Sequence, residues 1–168
     1  CLRTRLLLFA SGKDPPDPSN QQHTNFSRDS DGEYLALTRT DSNGALKIIS
    51  EYSSKFPTLE QSISYGLDPE SLGEGYLEKP TPKRPNEGGI ASGFVKDTQF
   101  SVDRGFFTEP FILHISSNTP GATIRYTTNG AEPTESAGKI YKGPIEISKT
   151  TMIRAAAFKT NHFPTNID

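Results

Sequence analysis

The chain is poor in the residues that build redox and metal centres. It has one cysteine, Cys1, and no tryptophan in 168 residues, so a disulfide framework, a paired thiol and a CxxC zinc site are all excluded within it. Long hydrophobic runs are missing as well, and no segment approaches the roughly 18 apolar residues of a membrane span. The opening "LRTRLLLFA" places basic residues before an apolar run, but that run is about five residues long, against the roughly 7 to 15 of a secretory signal. It reads as a strand, and any secretion signal is expected outside these residues.

An excess of one charge is also lacking. Lys and Arg total 18 against 20 for Asp and Glu, and the cations are scattered rather than clustered. That leaves no electrostatic footprint for a phosphate backbone, so nucleic acid is not an expected partner. The hydrophobic fraction is 32%, while 14 Gly and 13 Pro interrupt the chain too often for long helices. With a mean hydropathy of −0.58, short strands joined by many turns are the expected architecture.

What is present is alternation between turn signals. "LLLFA", Leu6 to Ala10, reads as a strand followed by the proline-rich excursion "SGKDPPDPSNQQ". In "EYLALTRTDSNGALKIISEY" two strand-like runs flank Asn43-Gly44, whose tolerance of positive φ predicts a tight hairpin turn. After "SYG", Ser64 to Gly66, periodicity fades through a Pro-, Gly- and Glu-rich stretch that predicts neither helix nor paired strand. This places a first module at 1–86, a linker at 87–96 and a second module at 97–168.

In the second module Phe100 and Val102 share one strand face, and Phe111, Leu113 and Ile115 share another, with His114 opposite. Pro120-Gly121 predicts a type II turn, after which Ala122, Ile124 and Tyr126 point inward and Thr123, Arg125 and Thr127 outward. In "TMIRAAAFK", Ile153, Ala155 and Ala157 oppose Met152, Arg154, Ala156 and Phe158. Several short antiparallel strands in two packed sheets follow from this pattern. Truncating Ile124 to alanine is expected to cost on the order of 2 to 5 kcal/mol.

No arrangement of chemical groups stands out. His23, His114 and His162 lie far apart, with no HxxxH pair, and read as structural. The serines of "ASGKD" and "IASGF" lack the GxSxG frame of a nucleophile elbow. Asp103, Glu109, Glu132 and Glu135 sit by turns and make no recognisable acid–base pair. Aligning "DSDG" or "DSNG" on an EF-hand glycine puts Ser27 and Thr38, or Arg39 and Ser50, at the outer ligand positions, so both read as hairpin turns. Neither GxxxxGK[ST] nor a strand-borne GxGxxG is present, and no cofactor or metal is expected.

Aromatic rings are the one resource left. Consecutive Phe106 and Phe107 cannot both face inward from a regular strand, so either one is exposed or a bulge at Gly105 turns the pair. Phe106, Phe107 and Tyr141 are the candidate residues for stacking on a sugar.

"FASGKD", "HTNFS", "GEYLAL", "SYG" and the Pro, Thr and Asn residues of 80–86 resemble the later part of bacterial lamin-tail domains, an immunoglobulin-like β-sandwich. Lys83 stands where that pattern commonly has Gly, and the earlier lamin-tail strands are missing. "FSVDRGFF", "TPGATIRYTTNGAEPT", "IYKGPIEIS" and "TMIRAAAF" resemble the small C-terminal domain of chitobiase and β-hexosaminidase, which recurs in secreted bacterial proteins.

The two resemblances imply an all-β chain of two small immunoglobulin-like or fibronectin-III-like β-sandwich modules. The first would be incomplete, leaving an apolar sheet face uncovered. They further imply a noncatalytic accessory or spacer role in a larger secreted or cell-surface bacterial protein, whose other domains would be the partners. A carbohydrate-binding module that engages polysaccharide is the alternative expectation.

Overall fold

The computed structural model describes residues 27–29 and 31–168, together with the backbone of Leu8–Phe9 and Gln22–His23. The readings of Leu6 and Ala10, of the excursion after Ser11 and of most of "HTNFS" lie outside the described residues. Among the described residues there is no helix, so none is long and apolar enough to cross a membrane. The protein is all-β, and its contacts divide it into two units, Cys1–Ile90 and Ala91–Asp168.

In the first unit, β1 (Leu8–Phe9) pairs in parallel with β2 (Gln22–His23). β3 (Leu35–Thr40) and β4 (Leu46–Tyr52) form the expected antiparallel hairpin. Its turn differs in detail from a two-residue Asn43-Gly44 corner. The Asp41 N–H donates to Ala45 O at 2.9 Å, the Gly44 N–H donates to Asp41 O at 3.1 Å, and only Gly44 is left-handed, at φ 81°. The loop is therefore the three-residue kind. The Asp41 carboxylate holds it by accepting the N–H groups of Asn43 at 2.8 Å and Ala45 at 3.0 Å. A bulge then shifts the register between Leu37 and Thr38, and Leu37, Leu46, Ile48 and Ile49 remain exposed.

The loss of periodicity after Gly66 hides a second hairpin. β5 (Ser64–Leu67) pairs with β6 (Glu74–Leu77), so "EGYL" is a strand where the composition predicts none. The competing physics is turn chemistry. Asp68 is 5% exposed, and its carboxylate accepts the Ser71 hydroxyl at 2.6 Å and the Ser71 N–H at 3.0 Å. Its own N–H donates to Gly73 O at 2.8 Å, closing the loop between the two strands. Beyond β6, the Asn86 side chain donates to Leu67 O at 2.7 Å and accepts from the Thr81 hydroxyl at 3.0 Å, tying 80–86 back to the hairpin. The turn it closes has the Arg84 N–H on Thr81 O at 3.0 Å and Lys83 at φ 64°, so lysine occupies a left-handed position that glycine favours. Phe56, Tyr76 and Leu77 are the buried hydrophobic residues among the described part of this unit. Tyr65 packs edge-on against Tyr76 at 5.2 Å, and the Tyr76 hydroxyl donates to Thr58 O.

The bonds from Ser71 hold the Asp68 carboxyl below the ordinary aspartate range, against the opposing effect of burial. A carboxyl whose folded pKa is depressed contributes stability above its unfolded value, about 3.9, and loses that contribution as pH falls through the lower folded value. Acidification below about pH 4 is therefore expected to unprotect the Ser71 and Leu72 amides in hydrogen exchange. Asp68→Asn should abolish that acid step. Exchange in the loop that ignores pH over the same range would contradict the assignment.

The second unit holds β7 (Thr98–Phe100), β8 (Phe111–Leu113), β9 (Ile115–Ser117), β10 (Thr123–Thr127), β11 (Lys139–Ile140), β12 (Ile145–Ile147) and β13 (Arg154–Phe158). They form three small sheets, β11-β10-β13, β12-β8 and β7-β9. Leu113, Ile115 and Ala155 are buried at the point where these meet, and Phe100, Val102, Ile124, Tyr126 and Ile153 pack against them. The inward parity expected of β8, β9 and β10 is thus realised, and His114 is exposed. The type II turn is realised too: the Ala122 N–H donates to Thr119 O at 3.2 Å and Gly121 has φ 75°, a conformation that costs glycine nothing.

Two observations depart from the pattern. Ala156, on the outward parity of β13, is only 1% exposed. Its strand is flanked on both sides, by β10 and by the C-terminal residues, where Asp168 exchanges two 3.0 Å backbone bonds with Ala155. Residues 91–95, which composition assigns to the linker, pair within the second unit. The Ser92 N–H donates to Asn161 O at 2.7 Å, Val95 and Phe163 are joined at 2.9 Å, and the rings of Phe94 and Phe163 stack at 5.4 Å.

Candidate functional site

The candidate site is a groove at one end of the second unit, and strand register creates it. Phe111 opens β8 and Ile147 closes β12, and the two are direct antiparallel partners. The loop that runs into β8, 103–110, and the loop that leaves β12, 148–153, are therefore set side by side. Between them lies a groove of about 1000 Å³. Phe100, Val102, Leu113 and Ile153 form its apolar floor, while Asp103, Arg104, Thr108 and Glu109 face Ser148, Lys149, Thr150 and Thr151 across its rim. The floor is the exposed end of the core, so the rigidity of the sandwich passes directly to the site.

The two adjacent phenylalanines lie on the 103–110 loop outside any strand, which removes the parity conflict. Phe106 is 107% exposed and Phe107 51%. The Phe107 ring lies tilted on Phe111, with centroids 4.5 Å apart at 47°. Gly105 supports it from below, where an added Cβ would sit 3.6 Å from the ring edge. Phe107 is thus an anchored ring and Phe106 a free one. Tyr141 is elsewhere: half-buried, 6.4 Å edge-on from Tyr126, with its N–H on Ile124 O. The structure brings Phe106 and Phe107 together on the groove and leaves Tyr141 outside its lining.

The carboxylates scatter in the same way. Asp103 and Glu109 line the groove. Glu132 is bound to Arg154 at 3.1 Å, and Glu135 borders a separate depression of about 360 Å³ beside Arg125 and Lys159. The His114 backbone N–H donates to the Ser101 hydroxyl at 2.9 Å, and its carbonyl accepts the Ser101 N–H. The His162 ring lies 3.1 Å from Thr160 O and over Gly93. Among the described residues no group of three or more His, Cys, Asp or Glu is placed to hold a metal ion. The "DSNG" carboxylate, Asp41, is committed to its own turn.

Sequence reasoning missed Phe111 and the 148–151 hydroxyls as site residues. "FF" at 106–107 is a visible local signal, but nothing in "ISKTTM" says that it faces that pair until β8 and β12 are aligned.

Residues 102–167 match the family model described as the chitobiase/beta-hexosaminidase C-terminal domain. The match covers less than half of the chain and lies within the second unit. Comparison with curated proteins and with solved structures finds no match.

Proposed function

We propose that the protein is a noncatalytic pair of accessory β modules, which space or present other domains of a secreted or cell-surface bacterial multidomain protein. The observation that carries this reading is the match of 102–167 to a domain named for its place at the C-terminus of glycosidases. The alternating residues of this domain are spent on a shared core around Leu113, Ile115 and Ala155. The exposed Leu37, Ile48 and Ile49 of the first unit support the same reading, since an exposed apolar surface suits contact with further structure. A purified chain incubated with N-acetylglucosamine oligosaccharides and aryl glycosides is expected to show no turnover. Turnover that disappears on Asp103→Asn or Glu109→Gln would end the proposal.

A second reading, a carbohydrate-binding module, is favoured by one specific observation. Phe106 and Phe107 present ring surface on an open groove, not inside the core.

A further inference from the structure

We infer that the groove between 103–110 and 148–153 binds a neutral oligosaccharide, with Phe106 stacked on one pyranose face and the Thr108 and Ser148–Thr151 rim hydrogen-bonding its hydroxyls. The inference rests on the carbohydrate-binding reading and assigns that reading to one place in the molecule.

The lining has two characters. Phe106, Phe107 and Phe111 supply adjoining ring surface, anchored through the 4.5 Å contact between the last two. A ring left wholly exposed loses hydrophobic stabilisation in the free protein, and a ligand with a flat C–H face restores it. The rim, in contrast, offers donors and acceptors of both signs: Arg104 and Lys149 against Asp103 and Glu109. Asp168, also at the groove, is committed to the Thr98 hydroxyl and to Asn166. With Asp103, Glu109 and Asp168 interspersed with Arg104 and Lys149, neither sign is concentrated enough to define a site for a charged ligand. The complement of an apolar floor and a mixed polar rim is an uncharged polyhydroxyl ligand whose faces and edges differ in polarity.

Two loops walling an open trough suit a chain of sugars that enters and leaves along it, and the volume of about 1000 Å³ exceeds that of a single ring.

The test is a titration of the full chain with N-acetylglucosamine and glucose hexasaccharides, read by calorimetry and by aromatic NMR signals. At least one sugar is expected to bind saturably and to shift the Phe106, Phe107 and Phe111 rings together. Phe106→Ala should weaken binding by about tenfold or more, the loss typical of a stacked aromatic anchor. It should leave the melting temperature unchanged, because its ring touches no core residue. Tyr141→Phe should bind as the parent does.

Saturable binding that survives Phe106→Ala would overturn the inference, as would the absence of binding by either sugar at millimolar concentration. Ring signals that broaden with protein concentration alone, and sharpen in Phe106→Ala, would also overturn it by making the patch a contact between copies. None of these outcomes touches the accessory reading, which falls only if turnover is found.

Discussion

Gly32→Ala is expected to unfold most of the first unit, with a loss on the order of 3 kcal/mol from two sources that add. Gly32 has φ 88°, which a residue with a Cβ adopts at a cost of about 1 to 2 kcal/mol. The added Cβ would also overlap the backbone carbonyl oxygen and carbon of Phe56. Those atoms belong to the main chain and have no rotamer into which to retreat, so the segment itself must move, at about 1 to 3 kcal/mol. The place matters because the Phe56 N–H donates to Glu33 O at 3.0 Å, while its ring is buried at 3% exposure beneath the Arg28 guanidinium. Displacing Phe56 therefore exposes one of the three buried hydrophobic side chains among the described residues of this unit, the others being Tyr76 and Leu77. Thermal melting and the dispersion of the Tyr65 and Tyr76 ring signals would report the loss. An alanine variant with unchanged melting would show that Gly32 does not approach Phe56 as described.

In the second unit the largest effect is expected from Leu113→Ala, at about 3 to 5 kcal/mol, and a smaller one, near 2 kcal/mol, from Ile124→Ala. Both remove apolar volume from the same cluster. Leu113 is 5% exposed and clusters with Ile115 and Ala155, whereas Ile124 is only partly buried against that cluster. A cavity left by a nearly buried side chain is less free to collapse than one at the exposed border, which can relax or admit water. The ordering of the two losses is the diagnostic result and can be measured by denaturant unfolding followed through the tyrosines of this unit. Equal losses, or a greater loss for Ile124, would mean that the centre of the core lies nearer β10. Leu113 also lines the floor of the groove, so its truncation should weaken sugar binding as well as stability.

The parts of the fold legible in advance were those in which the signal is local. Alternation in "FILHIS" and "ATIRYT" announces strands, because a pleated backbone turns successive side chains to opposite faces. Pro120-Gly121 announces its turn, because the φ of each residue is set by its own covalent structure. The strand Glu74–Leu77 was obscured because its signal is short and its hairpin loop depends on Asp68 bonding to Ser71 and Gly73. Ala156 was misassigned because parity says which face a residue points to and not whether that face is covered. For the site, the exposed pair Phe106-Phe107 could be picked out because two neighbours cannot share a parity. Tyr141 could not be set aside, since a tyrosine flanked by isoleucine and lysine looks equally suited to core and surface.

The sequence by itself determined an all-β chain, the inward set of the second core, and the likeness to the glycosidase-associated domain. Each of these follows from neighbours along the chain: parity, turn residues and composition act over a few positions. Only the tertiary structure decided that Phe111 pairs with Ile147, and so that two loops more than thirty residues apart wall one groove. Backbone hydrogen bonds between strands carry no side-chain code, and their partner is chosen by the packing of the whole core, which no local stretch contains.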